Sequence, residues 1–200
     1  MTTTTDHGTT DQGTATIKHF INGAETAGVG DRTQPVYNPA TGAVSAELRL
    51  ANRADLDHTV AAARAAAETW GDISLAKRTA VLFRFRELVA AHVDELAELV
   101  TAEHGKVLSD AKGEIGRGLE VVEFACGIPQ LLKGDYSDQV STGIDVFSFR
   151  EPLGVCAGNT PFNFPVMVPM WMYPVAIACG NTFVLKPSER DPSASNFIAG

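Results

Sequence analysis

Short extended segments are the first elements that the pattern of apolar residues predicts. Residues 17–21 are rich in apolar and β-branched side chains and end at Asn22-Gly23, a pair typical of tight turns. A Pro-Ala-Thr-Gly turn at residues 39–42 then leads into another apolar segment at residues 44–50. The pattern therefore predicts two strands joined by turns in the first quarter of the chain.

Helical periodicity follows these strands. Apolar residues from Leu56 to Trp70 recur on one stripe, which predicts an amphipathic helix. Ser74 is a favoured residue for the start of a second helix, and a third periodic stretch runs from Asp94 to a stop at Gly105. We expect these three helices to serve as scaffold.

A fourth predicted helix, residues 110–126, differs from the others because it is apolar on two faces. We expect it to begin after a Ser109 cap and to end at Gly127. At ~100° per residue, Arg117 and Phe124 share the side opposite the main apolar stripe. The pattern predicts a helix packed on both sides, with an arginine inside the second contact.

An arginine in such a contact requires an anion, and two sources remain open. The simpler one is a salt bridge within the helix, to Glu114 or Glu120, each three residues from Arg117. The other is an anionic ligand.

The last third of the chain has a different rhythm. A segment near residues 144–150 is extended, and a short apolar strand follows at residues 155–157. A loop, a helix over residues 165–179 and a strand at residues 182–185 complete a strand–helix–strand unit, which implies two parallel neighbouring strands and a right-handed crossover. The expected class is a doubly wound, Rossmann-like α/β sheet preceded by a helical segment.

This pattern predicts four consecutive parts. They are a disordered polar tail (1–15), strands and helices that pack on the sheet (16–138), an extended arm (139–153), and the first strand–helix–strand unit (154–200).

Composition narrows the partners. A net charge of −8 with a pI near 5.0, and no cluster of basic residues, argues against binding to nucleic acid or an anionic membrane. The uncharged segment 164–179 is shorter than the ~18–20 residues of a membrane span and contains three prolines, so we expect it to be buried. The three cysteines lack metal-ligand or disulfide spacing, which predicts no metal site and a cytoplasmic location.

Polar residues follow both strands of the predicted unit. Asn163 comes after the first strand and Lys186 after the second, so both should face the crevice at the carboxyl ends, where open α/β sheets bind ligands. Glu189 could accept from ribose hydroxyls and repel a 2′-phosphate, which favours NAD over NADP. The alternatives are a solvated lysine before a helix start and an ordinary helix cap at Asn163. The chain contains no G-x-G-x-x-G motif.

Three ordered motifs carry a resemblance to a known family. They are Glu-Pro-Leu-Gly-Val at residues 151–155, Thr-Pro-Phe-Asn-Phe-Pro at 160–165 and Gly-Asn-Thr-Phe-Val-Leu-Lys-Pro-Ser-Glu at 180–189. Together they resemble the aldehyde dehydrogenase superfamily. The sequence around His104-Gly105-Lys106, residues 117–125 and residues 165–172 is similar to the methylmalonate-semialdehyde dehydrogenase branch in particular.

The resemblance implies roles for seven residues. Asn163 matches the amide that binds the oxyanion, and Arg117 matches an arginine for the substrate carboxylate. The remaining matches concern NAD: Thr160 and Phe162 in the loop beside the cofactor, and Lys186, Glu189 and Arg190 at its adenosine half. Asn159 departs from the branch, which has an apolar residue at this position.

For the intact enzyme, the resemblance implies NAD-dependent, coenzyme A-acylating oxidation of methylmalonate or malonate semialdehyde, with release of CO2. It also implies a homo-oligomer, a dimer or tetramer, with an oligomerisation arm. The catalytic cysteine and general base are expected downstream of Gly200, so this piece alone should be inactive. A hydrolytic aldehyde dehydrogenase and a non-catalytic NAD-binding fragment remain alternatives.

Overall fold

A computed structural model of the chain describes residues 15–200. The predicted tail lies outside this range, except for Ala15, which is the first residue of a strand. Seven helices and nine strands are found in the described part. The helices are α1 (Arg53–Trp70), α2 (Leu75–Ala91), α3 (Val93–His104), α4 (Leu108–Cys126), α5 (Ile128–Leu131), α6 (Met167–Ala178) and α7 (Ser193–Ala199). The strands are β1 (Ala15–Ile17), β2 (His19–Ile21), β3 (Ala24–Thr26), β4 (Thr33–Tyr37), β5 (Val44–Arg49), β6 (Tyr136–Ser141), β7 (Ile144–Phe147), β8 (Val155–Asn159) and β9 (Thr182–Lys186).

The opening segment forms two small sheets rather than one. The strand predicted at residues 17–21 is divided at Lys18: β1 pairs in parallel with β5, whereas β2 forms a hairpin with β3. Asn22 and Gly23 make the hairpin turn with φ of 53° and 76°, the left-handed conformations that a two-residue turn requires. The turn was therefore predicted, but the change of partner at Lys18 was not.

Local capping signals set the bounds of the helices. Asn52 and Asp55 form a capping box at the start of α1, and the Ser74 hydroxyl accepts the Lys77 amide at the start of α2. α3 ends at Gly105, whose φ is 87°. The prediction that Ser109 caps α4 is wrong, because extended backbone at Val107 lets the helix begin at Leu108 and places Ser109 within its first turn.

The predicted arm contains a two-stranded hairpin. β6 and β7 pair in antiparallel register, with Tyr136 opposite Phe147, and all their side chains are exposed. β6 begins three residues before the boundary expected for the arm.

The strand–helix–strand unit is present as predicted. β8 and β9 are parallel, in register from Val155 opposite Thr182 to Asn159 opposite Lys186, and α6 connects them. α4 packs closely on α6 at Gly118, where a Cβ atom would lie 2.2 Å from Met170 Cε. Among residues 15–200, no helix is long and apolar enough to cross a membrane.

Candidate active site

The carboxyl ends of β8 and β9 lie side by side and define a crevice. Asn159 is the register partner of Lys186, and the Thr160 amide continues the ladder by donating to the Lys186 carbonyl at 3.1 Å. Asn159 therefore stays in regular strand geometry despite its departure from the branch pattern. The loop after β8 and the turn after β9 consequently leave the sheet at the same end, where both strands have their carboxyl termini.

Lys186 and Glu189 form an ion pair at this end of the sheet. The Lys186 Nζ atom lies 2.8 Å from Glu189 Oε2, and both side chains are partly exposed. The hydrogen bond from Lys186 lowers the pKa of the Glu189 carboxyl, which keeps it ionised. Lys186 is thus paired with Glu189 as well as exposed to solvent. The pair presents a cation and a hydrogen-bond acceptor to the crevice.

Phe162 joins the loop after β8 to two other elements. The Arg190 guanidinium lies 4.7 Å from the centre of the Phe162 ring, and the His104 ring stacks on it at 6.3 Å between centroids. The structure thus brings together Thr160, Phe162, Lys186, Glu189 and Arg190, the residues that the family resemblance assigns to one cofactor site.

Asn163 lies in the same loop and is exposed. Among the described residues, its side-chain amide has no hydrogen-bond partner. The alternative role as a helix cap is wrong, because α6 begins after Val166 with no side-chain cap. The amides of Val166 and Met167 instead donate to Glu114 Oε1, at 2.8 and 3.1 Å.

Two charged residues beneath this loop were missed by the sequence reasoning. Lys106 and Glu114 form a buried ion pair, and the Lys106 ammonium also donates to the Asn163 carbonyl at 3.1 Å. One feature of the sequence could have indicated this ion pair. Glu114 falls on the apolar stripe of α4 together with Ala111 and Gly118, and a buried charge there needs a partner of opposite charge.

Asp191 is a second buried carboxylate near the site. It is 2% exposed, and neither of its oxygens has a hydrogen-bond partner in the described part of the chain. Burial raises the pKa of Asp191 to about 7; the nearby Ser188 hydroxyl opposes the rise, and the carboxylates of Glu103 and Glu114 add to it. The Thr160 hydroxyl, also buried, is likewise without a partner there.

Arg117 departs from expectation. The predicted second contact of α4 is not formed between residues 15 and 200: Arg117 is exposed, and Phe124 on the same face is 56% exposed. The alternative salt bridge is not observed within this range either, since Glu114 is committed to Lys106 and no ion pair links Arg117 to Glu120. The guanidinium has no anion within the described residues.

The cysteines do not resemble nucleophiles. Burial raises the pKa of the Cys126 and Cys179 thiols, which opposes thiolate formation, and Cys156 lies within β8. Residues 15–200 contain no group of three or more His, Cys, Asp or Glu side chains arranged to hold a metal ion.

Comparisons with known proteins agree with this architecture. The sequence model of the aldehyde dehydrogenase family matches residues 26–200. Malonate-semialdehyde dehydrogenase 3 of Geobacillus kaustophilus is 52% identical over 186 residues, which are 93% of this chain and 38% of that protein. The chain thus spans well under half the length of this relative.

Two solved structures superpose closely on the fold. A methylmalonate-semialdehyde dehydrogenase of Sinorhizobium meliloti, crystallised with NAD, gives a TM-score of 0.92 at 47% identity, covering 94% of this chain and 38% of that one. The methylmalonate-semialdehyde dehydrogenase of Oceanimonas doudoroffii gives 0.90 at 52% identity, covering 92% and 38%. With the family match over residues 26–200, these similarities show that the chain belongs to the aldehyde dehydrogenase family.

Proposed function

We propose that this chain contributes the NAD-binding crevice and the oxyanion-binding amide of an enzyme that oxidises methylmalonate semialdehyde and malonate semialdehyde. The proposed products are propionyl-CoA and acetyl-CoA, with release of CO2. The observation that carries the proposal is the Asn163 side-chain amide, which has no hydrogen-bond partner among the described residues and lies in the loop whose first residue, Thr160, donates its backbone amide to the Lys186 carbonyl. About 50% identity to malonate-semialdehyde dehydrogenases supports the choice of substrate.

The residues at the crevice fit NAD. Lys186 and Glu189 offer a donor and an ionised acceptor suited to ribose hydroxyls, and the Thr160 hydroxyl has unused bonding capacity. Phe162 and Arg190 stack on each other and can form a wall of the site. Bound NAD would supply the hydride acceptor. Glu189 would also repel the 2′-phosphate of NADP, because its carboxyl remains ionised.

Asn163 has the chemistry expected of an oxyanion donor. When a thiolate adds to an aldehyde carbon, the carbonyl oxygen gains a full negative charge. An amide N–H aimed at that oxygen stabilises the charge, and one such donor contributes ~2.7–4 kcal/mol to lowering the barrier. Because Cys126, Cys156 and Cys179 are structural, we propose that the thiolate comes from another part of the complete enzyme.

Arg117 is proposed to bind the carboxylate of the substrate. It is exposed, has no salt-bridge partner within residues 15–200, and shares a face of α4 with the apolar Phe124, about two turns farther along the helix. A guanidinium can meet a carboxylate with two parallel hydrogen bonds and keeps its charge when partly desolvated. Both semialdehydes carry this group, whereas simple aldehydes do not.

The acyl transfer separates the proposal from hydrolytic alternatives. In the proposed reaction the acyl group loses CO2 and passes to the thiol of coenzyme A. The complete enzyme should therefore form propionyl-CoA, detectable by mass spectrometry, from methylmalonate semialdehyde only when coenzyme A is present. Rapid NADH formation with release of a free acid, whether or not coenzyme A is added, would instead indicate a hydrolytic aldehyde dehydrogenase.

We further propose a homo-oligomer that associates through the β6–β7 hairpin, and a cytoplasmic location. The hairpin presents Ile144 and Phe147 at 53% and 69% exposure. Exposed apolar side chains on a two-stranded ribbon are typical of a surface that pairs with another chain. Analytical ultracentrifugation of the complete enzyme, with and without Phe147→Ser, tests the assembly.

A further inference from the structure

A buried ion pair lies under the loop that carries Asn163. The side chains of Lys106 and Glu114 are 11% and 1% exposed, and they contact each other directly. Removing two charges from water costs several kcal/mol per ion, which is recovered only when the remaining donors and acceptors are also satisfied. The other contacts of this pair therefore indicate what the pair holds in place.

The Lys106 contacts point at the start of the loop. Besides Glu114, its ammonium donates to the backbone carbonyl of Asn163 at 3.1 Å and lies 4.5 Å from the centre of the Phe164 ring. Lys106 thus contacts the backbone of Asn163 and the side chain of Phe164. The side-chain amide of Asn163 takes no part in these contacts.

The Glu114 contacts fix the other end of the loop. Its Oε1 atom accepts the backbone amides of Val166 at 2.8 Å and Met167 at 3.1 Å. It therefore replaces the missing cap of α6 with a carboxylate from α4. Between the two anchors, the Pro165 carbonyl accepts from the Ser195 hydroxyl at 3.2 Å.

This arrangement matters because the Asn163 side chain has no support of its own among the described residues. An oxyanion donor is effective only when it is oriented before the charge develops, and a displacement of about 1 Å can cost on the order of 100-fold in rate. With no side-chain hydrogen bond in the described part, the backbone is what fixes the point from which this amide extends, and with it the range of positions that the amide can reach.

We infer that Lys106 and Glu114 are positioning residues that hold the backbone of Asn163 so that its amide points at the reacting oxygen. The inference rests on the proposed function only in that Asn163 is taken as the oxyanion donor. It does not depend on which aldehyde is oxidised. Neither residue touches the substrate in this scheme, and both act through Asn163.

The test is a double-mutant cycle in the complete enzyme. Lys106→Met retains the length of the side chain and removes its charge and donors. We expect it to slow the pre-steady-state burst of NADH by on the order of 10- to 100-fold while the KM for NAD changes less than about 3-fold. In an Asn163→Ala background, the same substitution should slow the burst by less than about 3-fold, because the group it positions is absent.

Two further variants complete the design. Lys112→Met is the matched control, since Lys112 lies on α4, the helix that carries Glu114, but pairs at 2.7 Å with the exposed Asp94, and it should leave the burst unchanged. Glu114→Gln keeps an oxygen for the Val166 and Met167 amides and weakens the pair with Lys106, so its loss should be smaller than that of Lys106→Met. Hydrogen exchange at the Val166 and Met167 amides should accelerate in both position-106 and position-114 variants.

The outcomes are distinguishable. Equal losses from Lys106→Met with and without the Asn163 amide would overturn the inference and make the ion pair a general stabilising feature. An enzyme that oxidises other aldehydes but neither semialdehyde would contradict the proposed substrate, and the cycle would then be run with an aldehyde that reacts. An enzyme that oxidises no aldehyde would overturn both proposals.

Discussion

Asp191 should make the folded enzyme less stable as the pH rises. Its carboxyl is 2% exposed, and burial raises its pKa to about 7 against an ordinary value of 3.8. Between these two values the folded protein keeps a proton that the unfolded chain has released, so the free energy of unfolding falls with pH over this window and then levels off. At ~1.36 kcal/mol per pKa unit, the loss has an upper limit on the order of 4 kcal/mol.

Asp191→Asn removes the titration while preserving size and shape. We expect this variant to match the wild type near pH 4 and to exceed it by ~1–4 kcal/mol at pH 8, seen as a higher Tm in scanning calorimetry of the complete enzyme. Asp57→Asn is the control, because the Asp57 side chain is 60% exposed in an ion pair with Arg53 and should show little dependence on pH. A pH-independent change, or destabilisation at pH 8, would show that the folded protein uses the ionised form of Asp191.

Three other predictions concern the site. Glu189→Gln should weaken NAD binding and narrow the preference over NADP, because the carboxylate that repels the 2′-phosphate is lost; unchanged calorimetric affinities for both cofactors would contradict this. Arg117→Leu should lower kcat/KM for methylmalonate semialdehyde about 10- to 150-fold and for propanal very little, whereas equal losses would indicate a structural role. The 200-residue chain alone should produce no NADH with coenzyme A and either semialdehyde, since none of its cysteines is placed as a nucleophile.

Features governed by neighbouring residues could be predicted from the sequence. The Asn22-Gly23 turn, the Ser74 cap and the stop at Gly105 all depend on backbone preferences within a few positions. The parallel pair β8–β9 was also predictable, because two short apolar strands joined by a helix are typical of a crossover that returns the chain to the same end of the sheet. The same local reasoning failed at Ser109, where a favourable cap residue competes with a helix that starts two residues earlier than predicted, at Leu108.

Features that depend on distant residues were not predictable in this way. Glu114 reaches Lys106 eight positions away but also Val166 and Met167, more than fifty positions along the chain. No periodicity links these segments, and the packing of α4 on α6 creates the contact. The burial of Asp191 is likewise a property of several elements, since the carboxylates that influence it lie on α3 and α4.

The position of Arg117 was predicted from the helical periodicity, but the periodicity does not show which group contacts that face of the helix. The periodicity assigns Arg117 and Phe124 to one face of α4, and the structure places both on an exposed face. A solvated face explains the arginine, and a site that combines apolar surface with an anion-binding group accounts both for the arginine and for Phe124, which is 56% exposed on the same face. No intrahelical salt bridge to Arg117 is formed within the described residues, so its guanidinium is free to meet an anion. Comparing kcat/KM of Arg117→Leu with the two aldehydes tests whether this face of α4 binds the substrate. Only a site that receives a carboxylate should distinguish methylmalonate semialdehyde from propanal.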